Sequence, residues 1–98
     1  MSNIFENIRK WSSERGIPEN ATEQSQFIKL IEETGELSEA ILKGDRELFI
    51  DSIGDCIVVL TILAQIKGIN VEECIESAYN EIKDRKGKMI NGTFVKNK

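Results

Sequence analysis

Residues 31–66 read IEETGELSEAILKGDRELFIDSIGDCIVVLTILAQI, two helices joined by a tight turn. In the first half, Leu30, Leu37 and Ile41 fall on one side of a wheel that advances ~100° per residue. Gly44 suits a helix C-terminus, where left-handed backbone is common, and Asp45 can cap the next helix at once. So short a connection makes the two helices antiparallel neighbours. The second half is apolar nearly all round, through Ile53, Ile57, Val58, Leu60, Ile62 and Leu63. Such a helix belongs at the centre of a fold.

Outward from this pair the pattern stays helical. Ile4, Phe5, Ile8 and Trp11 give helical spacing over residues 3–14, and Arg15-Gly16-Ile17-Pro18 ends that segment. The second helix starts near residues 20–22 and reaches Lys43, and the third covers about residues 46–67, stopping at Gly68. Asn70 with Glu73 reads as a capping-box variant that opens a fourth helix over about residues 71–85. Residues 88–96 carry Asn91-Gly92 between short alternating runs, the preferred centre of a two-residue hairpin turn. An isolated hairpin is marginal in water, so it must dock on the helices or on another subunit. The expected fold is all-α: one domain over residues 1–98, an antiparallel bundle of about four helices with a short C-terminal β-hairpin. Three short helices do not cover an all-round apolar one, so oligomerisation is expected to complete the bundle.

Composition narrows the function classes. Charged residues make up 31% of the 98 residues, aromatics 6%, and there is one proline, which suits a helical domain rather than a disordered chain. A net charge of −4 gives no reason to expect a nucleic-acid partner. The charge is uneven, however: from residue 83 onward Lys83, Arg85, Lys86, Lys88, Lys96 and Lys98 face a single acid, Asp84. Cys56 and Cys74 lie in apolar helical contexts without a CxxC and are expected to be reduced, buried thiols. The absence of histidine removes the commonest general base and metal ligand. The stretch MSNIFENIRKW has no apolar core and does not read as a signal peptide. The longest apolar run, residues 57–66, is broken by Thr61 and Gln65 and is shorter than the ~20 residues a membrane span needs. A cytoplasmic location with no membrane partner is expected.

The acids are the unusual feature. Glu32, Glu33 and Glu36 share an arc of about 100°. Glu33 and Glu36 sit at the edge of the apolar face, and Glu39 points farther towards water. Asp51 and Asp55 stack one turn apart on the third helix. Asp55 lines up with Leu48, Val59, Ile62 and Ile66, so it is expected to face the interior. A lone buried carboxylate costs several kcal/mol without compensation. Lys29, Lys43 and Arg46 are candidate partners, and a bound metal is the other solution. Counted outward from Gly44, Glu36 is eight residues back and Asp51 seven forward, while Glu33 and Asp55 are eleven away on either side. Glu33, Glu36, Asp51 and Asp55 would therefore converge from two facing helices. Oxygen-only ligation suits a hard cation, Mg²⁺ first and Mn²⁺ as a substitute.

These residues resemble the MazG-like, all-α nucleoside triphosphate pyrophosphohydrolases, which carry E-E-x-x-E on one helix and E-x-x-D on the next around magnesium. EETGE supplies Glu32, Glu33 and Glu36, and DSIGD supplies Asp55. The likeness covers about residues 21–85. The family's first acid of E-x-x-D falls on Ser52, which leaves the fourth ligand as Asp51 or none. The resemblance implies hydrolysis of a (deoxy)nucleoside triphosphate to the monophosphate and pyrophosphate, in a homodimer or homotetramer whose subunits complete each other's pockets. A spare carboxylate, Glu32 or Glu33, would accept the proton of the attacking water. The resemblance points to the fourth helix for substrate contact. Asn80 and Lys83 lie three apart on one face there, with Arg85 and Lys86 following and Lys29 as a further cation. The helix dipole by itself also favours Lys and Arg at that end. Trp11, like Phe5 and Phe27, could stack on a base, although aromatics at helical spacing are more often core. Three other readings compete. One is an acidic interaction module without catalysis. Another is a di-iron bundle, disfavoured because such sites use Glu-x-x-His. The last is a related pyrophosphohydrolase of phosphoribosyl-ATP or dUTP.

Overall fold

The computed structural model describes residues 3–98. Met1 and Ser2, the first two residues of the N-terminal stretch read above, lie outside the described residues. Five helices and a hairpin follow in order: α1 (Ile4–Glu14), α2 (Ile17–Asn20), α3 (Glu23–Lys43), α4 (Arg46–Ile66), α5 (Val71–Ile82), β1 (Gly87–Ile90) and β2 (Thr93–Lys96).

The boundaries follow local chemistry. α3 opens on a capping box in which Ser25 N donates to Thr22 Oγ1 (3.0 Å) and Thr22 N donates to Ser25 Oγ (3.3 Å). It ends on Gly44 in left-handed backbone, and the Asp45 carboxylate accepts from Leu48 N at 3.0 Å to start α4. The segment expected only to terminate α1 also contains the single-turn α2. Pro18 is tolerated there because an N–H in the first turn has no helical acceptor. Asn70 does occupy the cap position of α5, but its side chain makes no capping bond. Its backbone carbonyl instead accepts from Glu73 N at 3.0 Å. α5 stops at Ile82 rather than near Arg85, because the chain turns through Lys83–Lys86 to enter the hairpin.

α3 and α4 form the antiparallel pair that dominates the packing. α1 crosses the C-terminal half of α4, where Gln65 Nε2 donates to Arg9 O (3.1 Å) and to Ser13 Oγ (3.0 Å). Ser12 on α1 and Thr61 on α4 are fully buried, which lets the two backbones approach closely. α5 packs on the same end of α4 and is tied to α1 by a two-pronged contact: Arg9 Nη1 to Glu72 Oε1 at 2.6 Å and Nη2 to Oε2 at 2.8 Å.

The chain is open. Its radius of gyration is 16.1 Å, against about 13 Å for a compact domain of this length. Among the described residues, buried apolar side chains are few: Ala40, Val59, Ile62 and Val71. The hairpin pairs Met89 with Phe94 and Ile90 with Thr93, with Asn91 and Gly92 both at positive φ in the turn. All of its strand residues are exposed, so it is not docked on the helices. Cys74 is also exposed, contrary to the expectation of burial, because α5 has α4 on one side only; Cys56 is half-buried, and both are free thiols. By length and composition α4 as a whole could cross a membrane, which the shorter apolar run had not suggested.

Candidate functional site

The inward side of α3 is Leu30, Glu33, Leu37 and Ala40, spaced three, four and three residues apart. This is the seam spacing of two packed helices, and a glutamate stands in it. On α4 the residues turned inward include Leu48, Ser52, Cys56, Val59 and Ile62. At the level where the register count pairs Glu33 with Asp55, carboxylate oxygens of Glu33, Glu36 and Asp55 lie within 4.8 Å of one another.

The three acids are not equivalent. Glu33 is half-buried, and its Oε2 is enclosed without a hydrogen-bond partner. Burial pushes its carboxyl above the usual range, and the charges of Asp55 and Glu36 push it further, while Lys29 pulls the other way. Glu36 and Asp55 are exposed. The wheel placed Asp55 in the interior and Glu33 at an edge; the structure reverses this. None of the three forms an ion pair among the described residues, since Lys43 is taken by Glu39 one turn away.

Asp51 is not part of the convergence. The α4 residue one turn before Asp55 that faces inward is Ser52, fully buried with an unpartnered Oγ, and Asp51 lies ~100° round the helix from it. Glu32 is likewise outside the cluster and exposed, one turn before Glu36.

Asn80, Lys83, Arg85 and Lys86 are exposed on and just after α5. α5 packs chiefly on α4, and Glu23 at the start of α3 lines a pocket with it. Arg85 lies 3.9 Å from Glu81, and the Lys86 carbonyl accepts from Asn97 N at the base of the hairpin. Lys29 is the cation whose field reaches Glu33. Trp11 is 45% exposed, with the Arg15 guanidinium 4.3 Å from its ring centre. It lines an apolar pocket of about 340 Å³ with Asn7, Ile8 and Val58.

Two neighbours of the cluster were not singled out from sequence. Cys56 borders it: burial first, then the charges of Glu33 and Asp55, push its thiol up. Val58, one turn beyond Asp55, links the Trp11 pocket to α4. Their adjacency to Asp55 was the available signal for both.

A family model described as the MazG nucleotide pyrophosphohydrolase domain matches residues 21–90, a span that contains Glu33, Glu36 and Asp55. An uncharacterized 18.2 kDa protein in the rep-hol intergenic region of Haemophilus phage HP1 (strain HP1c1) is 45% identical over 65 residues. That alignment covers 66% of this chain and 40% of the phage protein. No solved structure gives a significant match.

Proposed function

The chain belongs to the MazG nucleotide pyrophosphohydrolase family, and from that premise we propose that it hydrolyses nucleoside or deoxynucleoside triphosphates between the α- and β-phosphates. The products are the monophosphate and pyrophosphate. The observation that carries this reading is the meeting of Glu33, Glu36 and Asp55 from two helices around an enclosed, unpartnered Glu33 oxygen.

The residues fit a magnesium ion, with manganese as a substitute. The donors are all carboxylate oxygens, no cation among the described residues neutralises them by an ion pair, and a hard divalent ion would relieve their mutual repulsion. Glu33, Glu36 and Asp55 would hold it. When bound, the ion supplies positive charge to the phosphate oxygens and to the leaving pyrophosphate. Glu32 projects from the turn before Glu36 and is assigned the proton of the attacking water, with Glu33 as the alternative base. Lys29 stands beside the carboxylates and steadies the phosphates from α3.

Asn80 of α5, with Lys83, Arg85 and Lys86 just after it, are the phosphate-holding groups. A second copy would bring such groups to the site in a homodimer or homotetramer. Trp11 and its pocket would take the base by stacking. α4 is read as the core helix of a cytoplasmic enzyme, since Asp51 and Asp55 interrupt its apolar surface midway.

The test is a panel of nucleoside triphosphates with magnesium, assayed separately for pyrophosphate and orthophosphate. Pyrophosphate in equal amount to the monophosphate is expected. Orthophosphate release, or no release with any of the triphosphates, would overturn the proposal.

A further inference from the structure

We propose that the C-terminal hairpin is an arm that inserts into the groove between α4 and α5 of a second copy of this chain. The register puts directly opposed residues on the same face of the ribbon. Met89 and Phe94 therefore share one face, and Ile90 and Val95 share the other with Lys88 and Thr93. These four apolar side chains are 64%, 48%, 42% and 44% exposed, respectively. A two-stranded ribbon that exposes apolar groups on both faces is poorly suited to standing free in water, and alone it is marginally stable. Its shape is that of an insert held between two walls.

The groove offers such walls. It encloses about 530 Å³ and is lined by Leu60, Leu63 and Ala64 of α4 and by Cys74, Ile75 and Ala78 of α5. Its charged lining, Glu23 and Lys67, is paired internally at 3.6 Å. Charge favours a basic occupant: α5 carries Glu73 and Glu76 beside Cys74 and Ile75, whereas the segment from Arg85 to Lys98 has no acidic side chain and places Lys88 and Lys96 beside Met89 and Val95.

The area is that of a missing partner. The chain exposes 7628 Å², about 1,900 Å² more than the ~5,700 Å² expected for a compact monomer of its mass. Obligate homodimers bury about 2,000–5,000 Å² in total. Two reciprocal arms would cover apolar surface of this order, and the occupant is accordingly another copy. Gly87 is built into the arm. A Cβ there would stand 2.2 Å from Val95 O and 2.7 Å from the Phe94 ring, so the ribbon closes only with glycine.

Cys74 in the groove allows a direct test that uses neither nucleotide nor metal. In a Cys56→Ala background, Phe94→Cys protein is exposed to a mild oxidant and run without reductant. A disulfide-linked dimer is expected, and it should be lost when Cys74→Ala is added. Met89→Cys is run in parallel, because removing the Phe94 ring disturbs the hairpin. Gly87→Ala in either cysteine variant should abolish the linked dimer. A product that stays a covalent monomer in both cysteine variants, whether unlinked or linked within one chain, overturns the proposal. So does a linked dimer that survives Cys74→Ala.

Discussion

Asp55→Asn should make the metal-free protein more stable and remove its response to magnesium. Oxygens of Glu33, Glu36 and Asp55 lie within 4.8 Å of one another. At that distance one pair of unit charges repels by about 0.9 kcal/mol at the dielectric of water and about 3.5 kcal/mol at an effective value of ~20. Asp55 takes part in two of the three pairs. Glu36 and Asp55 are exposed, so the lower figure applies, and the relief is about 2 kcal/mol, shrinking as salt screens it. Asparagine keeps the shape of the side chain but surrenders the charge that would hold a cation. For the parent, 10 mM magnesium on a site with a dissociation constant of ~1 mM adds about 1.4 kcal/mol. The assay is urea denaturation at low ionic strength, in chelator and in 10 mM magnesium. The variant should lead in chelator, and magnesium should close most of that gap by stabilising the parent alone. Equal magnesium shifts in both proteins, or a variant weaker than the parent in chelator, would refute the placement of Asp55 in a shared cation site.

Four further outcomes follow from named residues. Glu36→Gln should abolish pyrophosphate release while circular dichroism and the urea midpoint in chelator show the fold intact, because Glu36 is exposed and glutamine keeps the shape of its side chain. Lys83→Ala should raise KM by about tenfold or more with kcat largely kept, the size of one charge-assisted hydrogen bond of ~1.5–3 kcal/mol; steady-state kinetics with pyrophosphate detection would show it. The hydrogen bond from Arg9, with help from nearby backbone, holds the Glu72 carboxyl down to about 2. A carboxyl lowered on folding stabilises most above its unfolded value near 4.5, and that contribution is lost as pH falls towards about 2. Glu72→Gln should therefore flatten the acid side of the stability curve between those values, read from thermal melts across pH, with little change in slope above pH 5. Glu33 has the opposite sign. Its raised carboxyl favours the fold most below about pH 4.5 and progressively less as pH rises through the folded value, which makes magnesium most stabilising at neutral pH.

Local chemistry settled much of this molecule. Gly44 and Asp45 fix a turn too short for anything but an antiparallel α3–α4 pair, and Asn91-Gly92 fixes the hairpin; both depend on backbone preferences within a few residues. Counting from Gly44 brought Glu33 level with Asp55 because helical rise is constant along both members of the pair.

Rotation of each helix about its own axis was another matter. α4 is apolar almost all round, so its wheel has no preferred inward direction, and the line through Asp55, Val59 and Ile62 looked as good as any other. Packing against α3 and α1 chose a side that buries Ser52, Val59, Thr61 and Ile62, which leaves Asp55 at the open edge and swings Asp51 away. The same choice put Glu33, not Asp55, in the enclosed position. Capping bonds and turn residues act over one turn of chain and are written in it. Which face of an evenly apolar helix turns inward, and how much of α5 and the hairpin stays bare, depends on surfaces brought together from distant residues.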